Sequence, residues 1–257
     1  VGLPDGTTGC LFDLDGVLTA TAKVHAAAWK QMFDSFLAHR AQAGQAPFVP
    51  FDLRADYDRY VDGKPREAGT RAFLASRGID LPEGRAQDPP GEGTVAGLGR
   101  LKNDLVLAAI ADHGVEVYPG SVRYLDACRS AGLAIGVVSS SANTRAVLQA
   151  TGLSRRVDAV VDADVAHARH LSGKPAPDTF LAGADLLGVP ACAAAVFEDA
   201  LAGVEAGRAG GFAIVVGVDR VGHGAALAQH GADLVVTDLA ELVGRQPHVG
   251  STRAVPT

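Results

Sequence analysis

The sequence predicts an α/β protein: a doubly wound parallel sheet, interrupted directly after its first strand by an inserted helical segment. Three observations carry that expectation. Short apolar runs recur along the second half of the chain with helical patterns between them. A further run of the same kind stands near the N-terminus, at Cys10-Leu11-Phe12. Between them, residues 20–115 show helical spacing and no strand pattern. Strands buried on both faces read as continuous apolar runs, and helices between them make the pairing parallel.

Taken in order, Cys10-Leu11-Phe12 is the first strand, and Gly16 breaks it. Thr21 to Gly44 follows as one long helix, with Trp29, Met32, Phe33, Phe36 and Leu37 at helical spacing as core. Pro65 and Gly78 bracket a second helix containing Phe73 and Leu74. A loop rich in Pro, Gly and acidic residues, 82–97, leads to a third helix, Leu98 to Asp112. Leu133 to Val138 is the next strand, ended by Ser139-Ser140-Ser141. A helix from about Asn143 then stops at Gly152. Val157–Val161, Ala193–Phe197, Phe212–Val216 and Asp233–Val236 complete the strands, with helices at Asp178 to Leu187 and Leu201 to Ala209 between them. The strand before Asp13 is expected at the centre, with ligands gathering at the carboxyl ends of the strands. The expected division is a core of 1–19 and 116–245, a helical cap of 20–115, and a flexible tail of 246–257 that lacks periodicity.

With 257 residues and 47% hydrophobic content, the chain can bury the core of one large or two modest domains. Its net charge of −6 disfavours nucleic acid and anionic lipid as partners. A small phosphate ester remains open, because a local cluster of Lys and Arg can override the global sign. The three cysteines, Cys10, Cys128 and Cys192, show no CxxC spacing, which argues against a disulfide scaffold or a zinc knuckle. No segment resembles a signal peptide and the apolar runs are too short to span a bilayer. A soluble, cytoplasmic monomer is expected.

Four chemical clusters fall at the expected strand ends. Asp13 and Asp15 are spaced i, i+2, which on an extended chain aims both carboxylates at one crevice. One can serve as nucleophile and metal ligand while the other handles protons. Ser139-Ser140-Ser141 with Asn143 offers hydroxyls and amides before a helix, a cradle for an anion. Gly173-Lys174-Pro175-Ala176-Pro177 holds a lysine in a loop stiffened by prolines. Glu198-Asp199, immediately after the Val196-Phe197 strand end, suits Mg²⁺, which takes carboxylate oxygens and water. A bare Asp-x-Asp is commonly just solvated; its recurrence with three partners is what argues for a site.

Acid pair, serine turn, lysine, acid pair, in that order, resembles the four-part signature of the haloacid dehalogenase superfamily. The likeness extends to its β-phosphoglucomutase-like family through Phe12–Thr19, Thr21-Ala22, His25, Trp29, Lys102-Asn103-Asp104, Val117–Gly120, Gly173–Asp178, Phe197–Asp199 and Ala202-Gly203. It covers residues from about 9 to 220. The resemblance implies that Asp13 attacks phosphorus to form an aspartyl phosphate. It implies that Asp15 protonates the leaving sugar oxygen, deprotonates the incoming hydroxyl, and offers its carbonyl to Mg²⁺. Glu198 and Asp199 complete the metal site, and Ser139 and Lys174 hold the phosphoryl oxygens, with Ser140, Ser141 and Asn143 beside them. In the cap it implies Arg66 on the second phosphate, Lys102, Asn103 and Trp29 at the sugar phosphate, and His25 interacting with Asp15. The implied activity is mutation of β-glucose 1-phosphate to glucose 6-phosphate through glucose 1,6-bisphosphate, or else hydrolysis of a small sugar or polyol phosphate. Two positions depart from the family: Ala142 stands where a phosphate-gripping Lys is common, which favours the hydrolase, and Ala20 replaces a hinge Asp. A scaffold role would be expected to have lost an essential group, and dehalogenation has no use for the second Asp or for Mg²⁺.

Overall fold

The structure, a computed structural model, describes residues 1–91 and 93–246. The expected tail of 246–257 therefore lies outside the described residues apart from Gln246. The chain forms two compact units, residues 1–19 with 117–257, and residues 20–116.

The first unit is built on a six-stranded, wholly parallel sheet: β1 (Gly9–Phe12), β2 (Ala134–Val138), β3 (Ala159–Val161), β4 (Ala194–Glu198), β5 (Ile214–Val218) and β6 (Leu234–Val236). Their spatial order is β3-β2-β1-β4-β5-β6, so β1 lies between β2 and β4, where the winding reverses. Such a reversal opens a crevice at the carboxyl ends of the strands. Register brings Phe12 opposite Val137 on one side and Phe197 on the other. The rings of Phe12 and Phe197 stack at 4.4 Å, with Tyr124 edge-on to both. On the other face Leu11, Val138, Phe180, Val196 and Phe212 share one buried cluster. Burial of each such side chain is worth about 1.5–3 kcal/mol, which fixes the strand ends that carry the polar residues.

Several boundaries differ from expectation. β5 starts two residues later than Phe212, because Phe212 packs into the core before the strand while Ala213 donates to the Ala194 carbonyl. A continuous apolar run has no period to mark its ends, so the sequence could not choose. β4 runs on to Glu198, which is thus the last strand residue, fully buried, and not the first loop residue. Helices α5 (Thr144–Ala150), α7 (Asp178–Leu187) and α8 (Leu201–Ala209) match helices the sequence places, whereas α4 (Pro119–Ser130), α6 (Ala163–Ala168) and α9 (Gly224–His230) occupy stretches for which it gives no bounds.

The second unit holds α1 (Ala22–Gln42), α2 (Arg66–Ser76) and α3 (Val95–His113), with a π-helical turn at Tyr57–Val61 and no strand among the described residues. α3 starts three residues before the expected Leu98, because the Thr94 hydroxyl caps the Gly97 N–H at 2.9 Å. The core is aromatic: Trp29 stacks on Phe33, and Phe51 and Phe73 pack against Phe33 at 5.2 and 4.1 Å. Phe36, expected in that stripe, is only partly buried at its edge. No helix among the described residues is long and apolar enough to cross a membrane.

Candidate active site

The end of β1 delivers Asp13 to the crevice. Its N–H donates to the Phe197 carbonyl at 2.9 Å, which locks it beside the end of β4. Beyond it the chain folds back in a tight turn, with Leu18 and Thr19 N–H groups donating to the Leu14 carbonyl and Gly16 N–H to Thr19. Asp15 is partly exposed while every other residue from Leu11 to Thr19 is buried. Gly16 has φ +86°, and a Cβ there would lie 1.7 Å from Oδ2 of Asp199. The glycine thus serves two needs at once, a left-handed turn and room for a carboxylate.

Lys174 is buried and reaches three oxygens: Oδ1 of Asp13 at 2.5 Å, the Val138 carbonyl at 3.2 Å and Oε1 of Glu198 at 3.3 Å. Its ammonium also stands 4.8 Å from the Phe180 ring centre. The Glu198 carboxylate rests against α8 at Gly203, where a Cβ would come within 1.7 Å of Oε1. Asp13, Glu198 and Asp199 each present an oxygen within 4.8 Å of the others, a group able to hold a metal ion. The Asp15 side chain is not part of that group, although its charge is felt at Asp13.

Burial pushes the Asp13 carboxyl up to about 6, against the pull of Lys174 and helped by the charge of Asp15. Burial also works against the Lys174 ammonium, but Asp13 and Glu198 outweigh it and hold its pKa above the ordinary value. The two remain an ion pair at neutral pH.

The serine turn begins next to this pair, since the Val138 carbonyl that receives Lys174 immediately precedes Ser139. Ser139 is buried, its N–H bound to Val161 and its Oγ accepting from the Ser141 N–H at 3.1 Å. Ser141 Oγ in turn accepts from the Asn143 N–H at 3.1 Å. Ser140, Ser141 and Asn143 are partly exposed, and Ala142 is exposed. Arg145 is held by the buried Asp162 at 2.7 Å.

The second unit gathers its own polar cluster. Lys102 is buried, donates to Nδ1 of His25 at 2.9 Å and stands 4.9 Å from the Trp29 ring centre. Burial, then the Lys102 charge, holds the His25 imidazole well below its usual pKa. Neutral His25 can then accept from the ammonium, which has no acceptor of its own. Arg66, at the start of α2, pairs with Glu67 and lies against Gly99, one turn of α3 before Lys102 and the partly exposed Asn103. The expected residues thus converge as two groups, Asp13, Asp15, Ser139, Lys174, Glu198 and Asp199 in one unit and His25, Trp29 and Lys102 in the other. Asp219-Arg220 follows the end of β5 and is a further polar pair at this edge of the sheet, outside the four sequence clusters. The signal was available, since charged pairs at strand ends are what singled out Glu198-Asp199.

A parallel sheet with a buried carboxylate directly after its first strand, an acid cluster and a buried lysine at its winding reversal fits a class of α/β enzymes. Residues 7–211 match the model of that class described as haloacid dehalogenase-like hydrolase, and the chain belongs to this family. Within it the chain is β-phosphoglucomutase-like: it is 58% identical over 246 residues to a β-phosphoglucomutase of Mycobacterium bovis, covering 95% of this chain and 94% of that one. The solved β-phosphoglucomutase of Clostridium difficile superposes with a TM-score of 0.70 at 25% identity, covering 92% and 93% of the two chains. A fructose-1-phosphate phosphatase of Escherichia coli is 33% identical over 207 residues, 79% of this chain and 92% of that one.

Proposed function

We propose that this protein is a Mg²⁺-dependent phosphoryl-transfer enzyme that interconverts β-D-glucose 1-phosphate and glucose 6-phosphate through an aspartyl phosphate on Asp13. The observation that carries the reading is the convergence of Asp13, Lys174, Glu198 and Asp199 at one strand edge. Similarity to the mycobacterial enzyme supports the choice of sugar phosphate.

The donor set fits Mg²⁺. It consists of carboxylate oxygens, without the thiolates or imidazoles that favour softer metals. Each of the three residues places one such oxygen within 4.8 Å of the others. Asp13, Glu198 and Asp199 would hold the ion, with the Asp15 carbonyl as a further oxygen. When bound, it offsets negative charge on the phosphoryl oxygens so that an anionic nucleophile can approach.

Asp13 acts as nucleophile: its oxygen bonds to phosphorus as the bond to the sugar oxygen breaks. Lys174 holds Asp13 in position and, with Ser139, stabilises the phosphoryl oxygens in transit. Asp15 gives its proton to the departing sugar oxygen and later takes one from the hydroxyl that attacks the aspartyl phosphate. Ser140, Ser141 and Asn143 supply further hydrogen bonds to the anion. In the second unit, His25, Trp29, Arg66, Lys102 and Asn103 are assigned to the sugar and its second phosphate, on the charges and donors they present. Glucose 1,6-bisphosphate is the proposed intermediate, and no nucleic acid or membrane enters the reaction.

The test supplies β-glucose 1-phosphate, Mg²⁺ and a trace of glucose 1,6-bisphosphate, and follows glucose 6-phosphate and free phosphate separately. Glucose 6-phosphate appearing without matching free phosphate is the expected result. A hydrolytic second reading is favoured by Ala142, which removes one charge-assisted phosphate contact, and by the likeness to the phosphatase. Free phosphate without isomerised sugar would replace the mutase with that phosphatase.

A further inference from the structure

Arg220 is a heavily engaged side chain, among the described residues, that the proposed reaction leaves unused. It follows β5, at the same edge of the sheet as Asp13 and Glu198, and only 13% of its side chain is exposed. Its Nε donates to the Gly16 carbonyl at 3.2 Å. Nη2 points to the Val17 carbonyl at 3.5 Å and the Ser121 hydroxyl at 3.3 Å, and Ser121 itself donates to Val17 at 2.7 Å. Nη1 donates to the Thr237 carbonyl at 2.7 Å and to Asp238 at 3.0 Å. The guanidinium lies 3.8 Å from the centre of the Tyr118 ring.

These contacts meet a specific need of the turn after Asp15. The N–H groups of Gly16, Leu18 and Thr19 bond inside the turn. The carbonyls of Gly16 and Val17, both buried residues, point outward to Arg220 and Ser121. A buried carbonyl without a donor is costly, so the donor's position dictates where the turn can sit. Arg220 is itself fixed at its far side. Asp238 caps the 3₁₀ turn Leu239–Leu242 in a capping box with Glu241, and Asp238 packs so tightly on α4 that a Cβ at Gly120 would lie 1.7 Å from it. A planar fork stacked on a ring and directed at five backbone or side-chain oxygens is far more rigid than the turn alone. Asp15, the partly exposed residue at the head of that turn, inherits its orientation from it.

We infer that Arg220 is a positioning residue, which clamps the Gly16 and Val17 carbonyls so that Asp15 is held in one orientation for proton transfer. The inference rests on the acid/base role proposed above for Asp15. It follows that Arg220 matters where the leaving oxygen must be protonated, as for a sugar alkoxide, and matters little where it leaves unaided, as for nitrophenolate.

The experiment compares wild type, Arg220→Lys, Arg220→Gln and Asp15→Ala on two substrates with Mg²⁺, with thermal unfolding alongside. One is β-glucose 1-phosphate. The other is p-nitrophenyl phosphate, read as the first-turnover burst of nitrophenolate, a step that needs no acid. For Arg220→Gln, kcat on the sugar phosphate is expected to fall about 10²-fold, as for loss of an oriented general acid, while KM and the burst rate stay within about threefold. Arg220→Lys, which keeps the charge but not the fork, is expected to fall between. Equal losses on both substrates would make Arg220 merely structural and overturn the inference, as would no loss on either. Asp15→Ala separates the two claims. If it is selective for the sugar phosphate and the Arg220 variants are not, the inference alone fails. If it shows no selectivity, the acid/base role fails and takes the inference with it.

Discussion

Replacing Gly16 by alanine tests the metal-binding geometry more sharply than removing a ligand, because the carboxylates all remain. Two effects are superimposed. The first is backbone strain, since φ is +86° and an L-residue in the left-handed region costs about 1–2 kcal/mol. The second is displacement, because the added Cβ would sit 1.7 Å from Oδ2 of Asp199, where ordinary contact begins at 3.4 Å. The oxygen must therefore retreat by 1.7 Å, nearly the length of a Mg–O bond, about 2.1 Å. Losing a mere outer-shell partner of a metal costs about 10- to 100-fold in affinity, and misplacing a ligand by this distance should cost at least that.

Gly188 provides the control. It ends α7 with φ +68°, and a Cβ there meets nothing within 4 Å. Gly188→Ala therefore carries the strain without the displacement. Calorimetric titration with Mg²⁺ should show Gly188→Ala binding like wild type and Gly16→Ala binding at least tenfold more weakly. Both should melt a few degrees lower, at about 2–4 °C per kcal/mol for a chain of this size. Gly16→Ala binding Mg²⁺ within threefold of wild type would refute the placement of Asp199 as a ligand.

Two further outcomes follow from charge. Lys174→Met leaves Asp13 and Glu198 buried without their ammonium, a loss of about 3–5 kcal/mol. Asp13, already raised to about 6, rises further in that variant, so its penalty applies above that pKa and vanishes below it. Metal-free melting should therefore show a larger deficit at pH 8 than at pH 5, and an equal deficit at both would contradict the pairing. His25 has the opposite sign: its folded pKa lies below the ordinary 6.5, so the unfolded chain takes up the proton first. Stability should fall as pH drops from 6.5 toward the depressed value, and His25→Gln should flatten that part of a melting-temperature profile. A profile unchanged by the substitution would mean that His25 is not held neutral.

The order of elements was legible because it rests on contrast between whole segments. Apolar runs such as Leu133–Val138 and long helices such as α1 differ in period over many residues. The bounds of α6 and α9 were not, because six or seven residues make fewer than two turns and carry little periodic signal; α5, equally short, is marked instead by the serine turn before it and Gly152 after it. Asp13, Ser139, Glu198 and Asp199 could be named because they fall at strand ends, where a polar group interrupts an apolar run; Lys174, in the loop between α6 and α7, is marked instead by Pro175 and Pro177 beside it. What the sequence could not supply was which oxygen each group touches. Lys174 bridging Asp13 and Glu198 depends on β1, β2 and β4 lying side by side, a long-range fact. Trp29 shows the same limit from another direction. Its spacing marks it as core, which it is, yet its ring also lies beneath the Lys102 ammonium, a contact between α1 and α3 that no local pattern encodes.

Electrostatics also imposes an order on the proposed reaction. With Asp13, Glu198 and Asp199 ionised, three negative charges face the single positive charge of Lys174, leaving the group at about −2. A dianionic phosphate ester would meet that excess at close range in a buried site, where screening by water and salt is weakest. A divalent cation held by Asp13, Glu198 and Asp199 would bring the balance to zero and remove the repulsion. The raised pKa of Asp13 adds to this, because burial, the largest cause of the shift, makes the carboxyl resist ionisation until more positive charge is near. In the proposed reaction, ionising Asp13 and admitting the anion would thus share one requirement, and the carboxylates of Glu198 and Asp199 would contribute to the attack through the cation they would hold.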